Sequence, residues 1–438
     1  MFKFVKRSPQ DVLTFSETVQ NPDTKYGLPQ KVNFCRSCVI SNQRPSSAVE
    51  FKHRANSTKS TIGFDDEGIC DACRVAEIKQ KSIDWDERRR ELKDLCDRYR
   101  RNDGRYDCVV PGSGGKDSVF AAHVLKHEFG MHPLTVTWAP HIYTDWGWKN
   151  FQSWIHSGFD NILVTPNGRV HRLLTRIAIE TLLHPFQPFI IGQKNVAPRT
   201  ALQYDIPLVF YGENEAEYGN PIATNTSALQ DAAYFASEQK EDELYISGVK
   251  VGELIDDFRI NRTDLSHYMP LKPEEIAGKQ VDVHYLGYYL KWHPQSCYYY
   301  AVENCGFVAS PERTSGTYSK YSSIDDKVDD LHYYTTFVKF GIGRATYDAA
   351  QEIRSGDIER EEGQALVRRF DGEFPERFFN ELMEYLSIPK AEFGDVSDLF
   401  EQPEMDREYF NLLCDDFRSP HLWKLVDGVW KQRFTVND

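Results

Sequence analysis

The stretch Tyr106-Asp107-Cys108-Val109-Val110-Pro111-Gly112-Ser113-Gly114-Gly115-Lys116-Asp117-Ser118 decides the fold. Its first five residues read as a buried strand, the glycines turn the chain, and Ser118 to Phe129 reads as a helix that Gly130 stops. A glycine-rich turn between a strand and a helix lets the backbone approach a ligand and points N–H groups at it. The helix N-terminus adds partial positive charge, and Ser113, Lys116 and Ser118 supply donors. That combination is a phosphate cradle. It is not the G-x-x-x-x-G-K-S/T loop, because the spacing from Gly112 is short and an aspartate follows the lysine.

Outward from the loop the pattern repeats. Leu134 to Trp138, Asn161 to Thr165, Phe189-Ile190-Ile191 and Pro207 to Tyr211 are expected strands; helices are expected around Trp146–His156 and over Val170–Leu183. Strands alternating with helices imply an α/β fold with a parallel sheet wound on both faces. Its ligand belongs beyond the carboxyl ends of the strands, where the strand order reverses. Upstream, Asp84 and Glu87 open a helix that carries Trp85, Leu92, Leu95, Cys96 and Tyr99 on one face. Beyond about 220 the alternation fades, and Asp325–Phe340, Ala345–Ser355 and Glu359–Phe370 read as helices. The expected organisation is a loosely packed arm over 1–30, a zinc ribbon over 31–80 and a connecting helix over 81–104. An ATP-binding domain over 105–222 and a substrate-binding, helical region over 223–438 follow.

The ribbon rests on cysteine spacing. Of nine cysteines, Cys35, Cys38, Cys70 and Cys73 form two C-x-x-C pairs, and the other five are scattered. In a reducing cytoplasm such pairs read as metal ligands rather than disulfides. The segment around them has few long apolar runs, so a metal must hold it. Four thiolates suit a tetrahedral Zn²⁺ with a closed coordination sphere and a structural role; an iron–sulfur cluster is the alternative.

Composition narrows the partners. The 438 residues, 40% hydrophobic and 13% aromatic, exceed one typical core and exclude wholesale disorder. With 52 lysines and arginines against 66 acids, the net charge of −14 opposes a chain-wide basic surface, so no nucleic-acid partner is expected. No run of about 18 apolar residues offers a membrane span. Met1 to Arg7 lacks an apolar signal core, and the expected location is the cytoplasm.

The loop Ser113-Gly114-Gly115-Lys116-Asp117-Ser118 resembles the SGGxDS loop of the PP-loop ATP pyrophosphatases. That superfamily splits ATP between the α- and β-phosphates and transfers AMP to a carbonyl oxygen before a nucleophile displaces it. The resemblance implies that Ser113, Ser118 and the loop backbone hold the pyrophosphate and that Asp117 lies near Mg²⁺. Lys116 fills a variable position. Cys35-Arg36-Ser37-Cys38 and Gly68-Ile69-Cys70-Asp71-Ala72-Cys73 precede the loop as in the N-acetyl sugar amidotransferases, which make acetamidino groups on bacterial surface sugars. Gly192-Gln193-Lys194-Asn195, Tyr211-Gly212-Glu213-Asn214, Glu217-Tyr218-Gly219, Gly316-Thr317-Tyr318-Ser319 and the run from Ser323 to Tyr334 are also similar to that family.

With the resemblance, the expected nucleotide contacts are Ser113, Gly114, Gly115, Lys116, Asp117, Ser118, Thr137 and Lys194. The expected catalytic groups are Lys116, Asp117, Glu213 and Glu217; acids at a strand's carboxyl end can position Mg²⁺ or accept a proton from an attacking amine. Lys194 and Arg199 are read as phosphate contacts or ordinary surface cations. Asp325, Asp326, Asp329 and Asp330 are read as acids of a helix first turn that need no ligand, with Ser323 as a cap. Tyr285, Tyr288, Tyr289, Trp292 and Tyr298 to Tyr300 are read chiefly as core.

The expected reaction is ATP-dependent amidotransfer to a diacetamido sugar, either a nucleotide-linked hexose or a nonulosonic acid. Position 2 is Phe2, and neither Cys297 nor Cys305 sits in a nucleophile elbow, so no glutaminase is expected in the chain. The family implies a separate glutaminase subunit, with a barrel-shaped cyclase-like companion in some cases. The rivals are a PP-loop tRNA-modifying enzyme and a non-catalytic nucleotide-binding subunit.

Overall fold

Cys108–Pro111 (β1) is buried along its whole length, because its alternate residues serve two cores. Val109 packs with Leu134, Val136 and Trp138 on one face, while Cys108 and Val110 join Leu125, Phe129 and Trp154 on the other. In the computed structural model, which describes residues 12–213, 220, 227–277, 279, 281–388 and 404–436, β1 is the central strand of a five-stranded parallel sheet. Pro133–Trp138 (β2) and Asn161–Val164 (β3) lie to one side, Leu208–Tyr211 (β4) and Asp282–Tyr285 (β5) to the other. The order β3-β2-β1-β4-β5 reverses direction between β1 and β4, so the crevice at the end of β1 is the topological switch point.

Helices cover both faces. Asp71–Lys81 (α1) belongs to the cysteine segment and leads to Trp85–Tyr99 (α2), where Asp84 accepts from the backbone N of Asp86 and Glu87 at 3.1 and 3.0 Å. Lys116–His127 (α3) and Asp145–His156 (α4) follow β1 and β2, and Gly168–Leu182 (α5) follows β3.

Phe189, Ile190 and Ile191 are not a strand. They lie in the helix Gln187–Gln203 (α6), with a proline in its first turn pre-setting φ. A short apolar triplet has no period of its own, and Ile191, Val196, Ala197 and Ala201 share one core. The sheet also runs past residue 222: β5 pairs with β4 through Val209 and Val283, in a segment whose aromatic-rich sequence hides the strand.

The arm is not loosely packed where it is described. Phe15 and Leu28 are buried against Phe340, Leu422 and Trp423, and the Tyr26 hydroxyl donates to Phe417 O at 2.7 Å. These anchors are single apolar residues without a period, so only their long-range partners reveal them. Pro294–Cys305 (α7) packs on α3. The helical region expected near the C-terminus is present as Val328–Phe340 (α8), Arg344–Ser355 (α9), Arg360–Phe370 (α10), Phe379–Leu386 (α11) and Arg407–Phe417 (α12). A hairpin of Trp423–Val426 (β6) and Val429–Gln432 (β7) follows. α8 packs through Val328, Leu331 and Val338 on Ile179 and Phe410, and the cysteine segment packs on Ala349 and Ala350 of α9. No described helix is long and apolar enough to cross a membrane.

Candidate functional site

The loop after β1 opens into a cavity of about 530 Å³. Gly114 adopts φ +86°, and a Cβ there would lie 2.8 Å from the backbone N of Phe151, so only glycine fits this close approach of loop and α4. The N-cap of α3 is Gly115 and no side chain caps it, which leaves the N–H groups of the first turn for a ligand. Ser113, Gly114, Gly115, Lys116 and Asp117 line the cavity. Ser118 does not; its hydroxyl donates to Gly115 O at 2.9 Å and braces the loop from within.

Lys116 is only 8% exposed and its Nζ lies 2.5 Å from Asp117 Oδ2. Burial alone would lower its pKa, yet Asp117, with Cys297 and Glu213 farther off, holds it above the usual lysine value. The Trp292 indole N–H donates to Asp117 Oδ1 at 3.1 Å, so this tryptophan belongs to the site and not only to the core. Burial, then the charge of Asp117, raises the Cys297 thiol, which stays protonated.

The opposite wall comes from the segment before α8. Thr144 caps α4 by accepting from Gly147 N at 2.9 Å, and its own backbone N donates to Asp325 O at 3.1 Å. A Cβ on Gly147 would run into the Asp325 backbone, so the first turn of α4 lies directly against Asp325. Burial raises the pKa of its carboxyl, against the opposing influence of nearby Ser113. Asp326, one residue before the N-cap of α8, accepts from Val328 N at 3.0 Å and from the His141 backbone at 2.7 Å. Asp329 is 7% exposed and lines the cavity. Burial, then Asp325 and Asp326, push its pKa well up. Asp330 turns away to pair with Arg377 at 2.8 Å.

Thus the acids read as a plain helix start divide. Asp326 is engaged by Val328 and His141 and Asp330 by Arg377, while Asp325, Asp326 and Asp329 all line the cavity. Ser323 does not cap the helix; its hydroxyl shares a hydrogen bond of 2.6 Å with Tyr333.

Of the remaining expected residues, Glu213 lines the cavity. Glu217 lies outside the described residues. Thr137 is buried and accepts from Asn161 Nδ2 at 3.0 Å, on the side of β2 opposite Val136 and Trp138, which do line the cavity. Lys194 is absent from the wall and lies over the Tyr234 ring, 4.8 Å from its centroid, while its neighbour Gln193 takes the wall position. Arg199 donates to Met269 O at 2.7 Å, not into the cavity.

Arg344 and Asp348, paired at 2.9 Å, and Glu352 extend the cavity along α9. Glu352 accepts from the Tyr318 hydroxyl at 2.8 Å, and burial, with Asp348 and Asp357 nearby, raises its pKa to about 7. A raised carboxyl favours folding while the folded state holds a proton that the unfolded chain has lost. Its contribution is therefore full below the ordinary value of 4.5 and fades as pH rises through about 7. Glu352→Gln is expected to gain melting temperature relative to the parent between about pH 5 and pH 8. Parallel melting curves for the two proteins across that range would refute this.

The cysteine quartet lies in the segment that supplies part of the cavity wall. Cys35, Cys38, Cys70 and Cys73 are buried, and their sulfurs lie within 4.8 Å of one another. Cys35–Cys73 and Cys38–Cys70 are each 3.8 Å apart. Thiolates about 2.3 Å from one tetrahedral ion would stand about 3.8 Å apart. The donor set therefore fits a single ion more closely than a cluster, whose sulfides would spread the thiolates. The backbone N–H groups of Cys38 and Cys70 also donate to Cys35 Sγ, at 3.5 and 3.4 Å. Ile40, Arg44, Ile62 and Ala72 of this segment form part of the cavity wall.

Residues 315–435 match the family model for the C-terminal domain of LPS biosynthesis protein WbpG-like proteins. That match contains α8, α9 and Asp325 and Asp329, the wall opposite the phosphate loop. An uncharacterized protein of Methanocaldococcus jannaschii is 31% identical over 79 residues, which are 18% of this chain and 28% of that protein. Among solved structures, the U34-tRNA thiolase NcsA of Methanococcus maripaludis with its 4Fe–4S cluster aligns over 77% of this chain and 89% of its own. The identity is 11% and the TM-score 0.27, and that likeness carries no argument about this chain.

Proposed function

We propose that the chain is an ATP-dependent, AMP-forming amidotransferase that converts an N-acetyl group of a bacterial surface sugar into an acetamidino group. One observation carries the reading: a single cavity joins the loop over 113–117 to the wall inside the segment that matches an LPS biosynthesis domain. Within it, Ser113, the α3 N-terminus and Lys116 hold the departing pyrophosphate. Asp117, Glu213, Asp325 and Asp329 would hold a Mg²⁺ ion, which supplies charge neutralisation for the phosphates.

The loop and the opposite wall align the sugar's N-acetyl oxygen with the α-phosphorus. Transfer of AMP turns an amide oxygen, a poor leaving group, into a phosphate ester that ammonia can displace. The apolar faces of Trp138, Phe186 and Phe189 keep water from the activated amide. Zinc in the quartet would hold the 31–80 segment and its share of the wall.

The ammonia comes from a separate glutaminase subunit in this reading, with a barrel-shaped cyclase-like companion as a further partner. Both cysteines considered as nucleophiles are buried, and burial raises each thiol, which is the reverse of activation. The test is mass spectrometry of reactions with MgATP and a diacetamido sugar, supplied either with ammonium or with glutamine. AMP, pyrophosphate and a sugar with NH in place of oxygen are expected with ammonium only. Equal turnover with glutamine would remove the separate glutaminase. AMP release stimulated by tRNA with no change in any sugar would overturn the reading.

A further inference from the structure

The run Gly316-Thr317-Tyr318-Ser319 is tied to α9 by two hydrogen bonds. The Thr317 hydroxyl donates to Asp348 Oδ2 at 2.6 Å, and the Tyr318 hydroxyl donates to Glu352 Oε2 at 2.8 Å. Asp348 and Glu352 stand one helical turn apart and both line the main cavity, with Tyr321 and Tyr347. Asp348 is engaged on both oxygens, because its Oδ1 lies 2.9 Å from Arg344 Nε. Tyr318 fixes Glu352 through one oxygen and leaves the other to the cavity. Gln351, also in the lining, holds its Nε2 buried without a hydrogen-bond partner, so a polar ligand is needed at this end. The charge of Arg344, at the start of α9, reaches Asp329. Past the end of α9, Asp357 lies 3.2 Å from His293 Nε2, and the preceding residue, Trp292, donates to Asp117. Glu352 thus belongs to a wall whose two ends meet the groups that frame the phosphate site.

Resting on the amidotransferase reading, we propose that Glu352 is the base that takes the proton from the attacking ammonia nitrogen. The reaction leaves one proton to be taken. Amide, ammonia and ATP give amidinium, AMP, pyrophosphate and one proton, with the amide oxygen leaving on AMP. The ammonia lone pair forms the new carbon–nitrogen bond, and the nitrogen becomes positive. One of its N–H bonds then breaks and the proton goes to the Glu352 carboxylate. The carbon–oxygen bond breaks last, its electron pair leaving on AMP. A nitrogen that keeps its extra proton can depart again as ammonia, so the transfer to Glu352 commits the adduct.

The surroundings suit that role. Burial raises the Glu352 carboxyl to about 7, with the Tyr318 hydroxyl opposing and Asp348, Asp357 and Glu362 of α10 adding to the rise. Arg354 of α9, Arg44 of the cysteine segment, Tyr321 and Tyr347 are the other ionisable groups lining this end. A base works best when its pKa lies near the operating pH, where it is ionised in part and still holds the proton it takes.

The test compares Glu352→Gln with the parent, using whichever diacetamido sugar the parent turns over with ammonium. The amide still accepts from Tyr318 but is no base. Turnover is expected to fall at least roughly tenfold more than sugar-dependent exchange of pyrophosphate into ATP, which reports adenylation alone. The ratio of parent to variant turnover, in which the supply of free ammonia cancels, should rise with pH through about 7. With hydroxylamine as nucleophile the deficit should shrink, because its adduct nitrogen is more acidic and gives its proton to water. Equal loss of exchange and turnover, a flat ratio, or the same deficit with both nucleophiles would overturn the base while leaving the amidotransferase reading intact. Should Glu352→Gln fail to fold, Tyr318→Phe decides. The Tyr318 hydroxyl holds the Glu352 carboxyl down, so its loss must move the rise of turnover to higher pH at a fixed concentration of free ammonia. An unmoved profile would overturn the proposal. A parent silent with every sugar would remove the amidotransferase reading and the base with it.

Discussion

Asp117→Asn is expected to lower AMP formation by roughly 100- to 1,000-fold with no loss of fold. The substitution keeps the shape that receives the Trp292 N–H but removes the charge that holds Lys116, and it takes one oxygen donor from the metal-facing wall. Lys116, buried and left without its counter-ion, loses the field that keeps it protonated. Steady-state AMP release measured beside ATP binding checks this. A subunit that only senses nucleotide would tolerate the change, so near-normal binding with near-normal downstream behaviour would favour the non-catalytic rival.

The second large effect is on folding. Cys70→Ser should prevent recovery of a stable protein, because a structural zinc site can hold ~10 kcal/mol or more, comparable with the whole stability of a domain. Metal analysis should find one zinc per parent chain and none in the variant, and thermal melting should show the loss. Because Ile40, Arg44, Ile62 and Ala72 line the cavity beside the glycine loop, partial unfolding of this segment would also open it to water. A Cys70→Ser protein that melts like the parent yet makes no AMP would assign the quartet to chemistry instead. Iron with sulfide in the parent would replace the single ion.

How much of this was legible follows from the range of the interactions. The strand, loop and helix from Cys108 to His127 carry a local signature, and so do the two cysteine pairs and the capped helix after Asp84. Phe189 to Ile191 misled because three apolar residues fit strand or helix equally, and the wider context chose a helix. Asp325 and Asp329 looked like ordinary first-turn acids. Nothing near them in sequence tells that α4 holds Asp325 beside Ser113, more than two hundred residues away. Thr137 is expected among the nucleotide contacts, but strand alternation sends Val136 and Trp138 to the cavity instead. His53, His184 and His332 lie side by side although far apart in the chain, and no spacing rule gathers them.

The cavity takes its lining from the cysteine segment, the glycine loop with its sheet, and the residues from Trp292 to Arg354. Arg360 donates to the carbonyls of Cys38 and Cys35 at 3.1 and 3.2 Å, and Lys25 donates through Nζ to Asp416 O at 2.6 Å. On the ribosome, synthesis proceeds at roughly 5–20 residues per second, so the cysteine segment and the phosphate loop wait many seconds for α8 to α12 to emerge. During that interval the nascent chain has a nucleotide loop but no chamber around it. In the proposed reading an activated amide formed then would meet water, and only once α8 and α9 are in place is the loop enclosed.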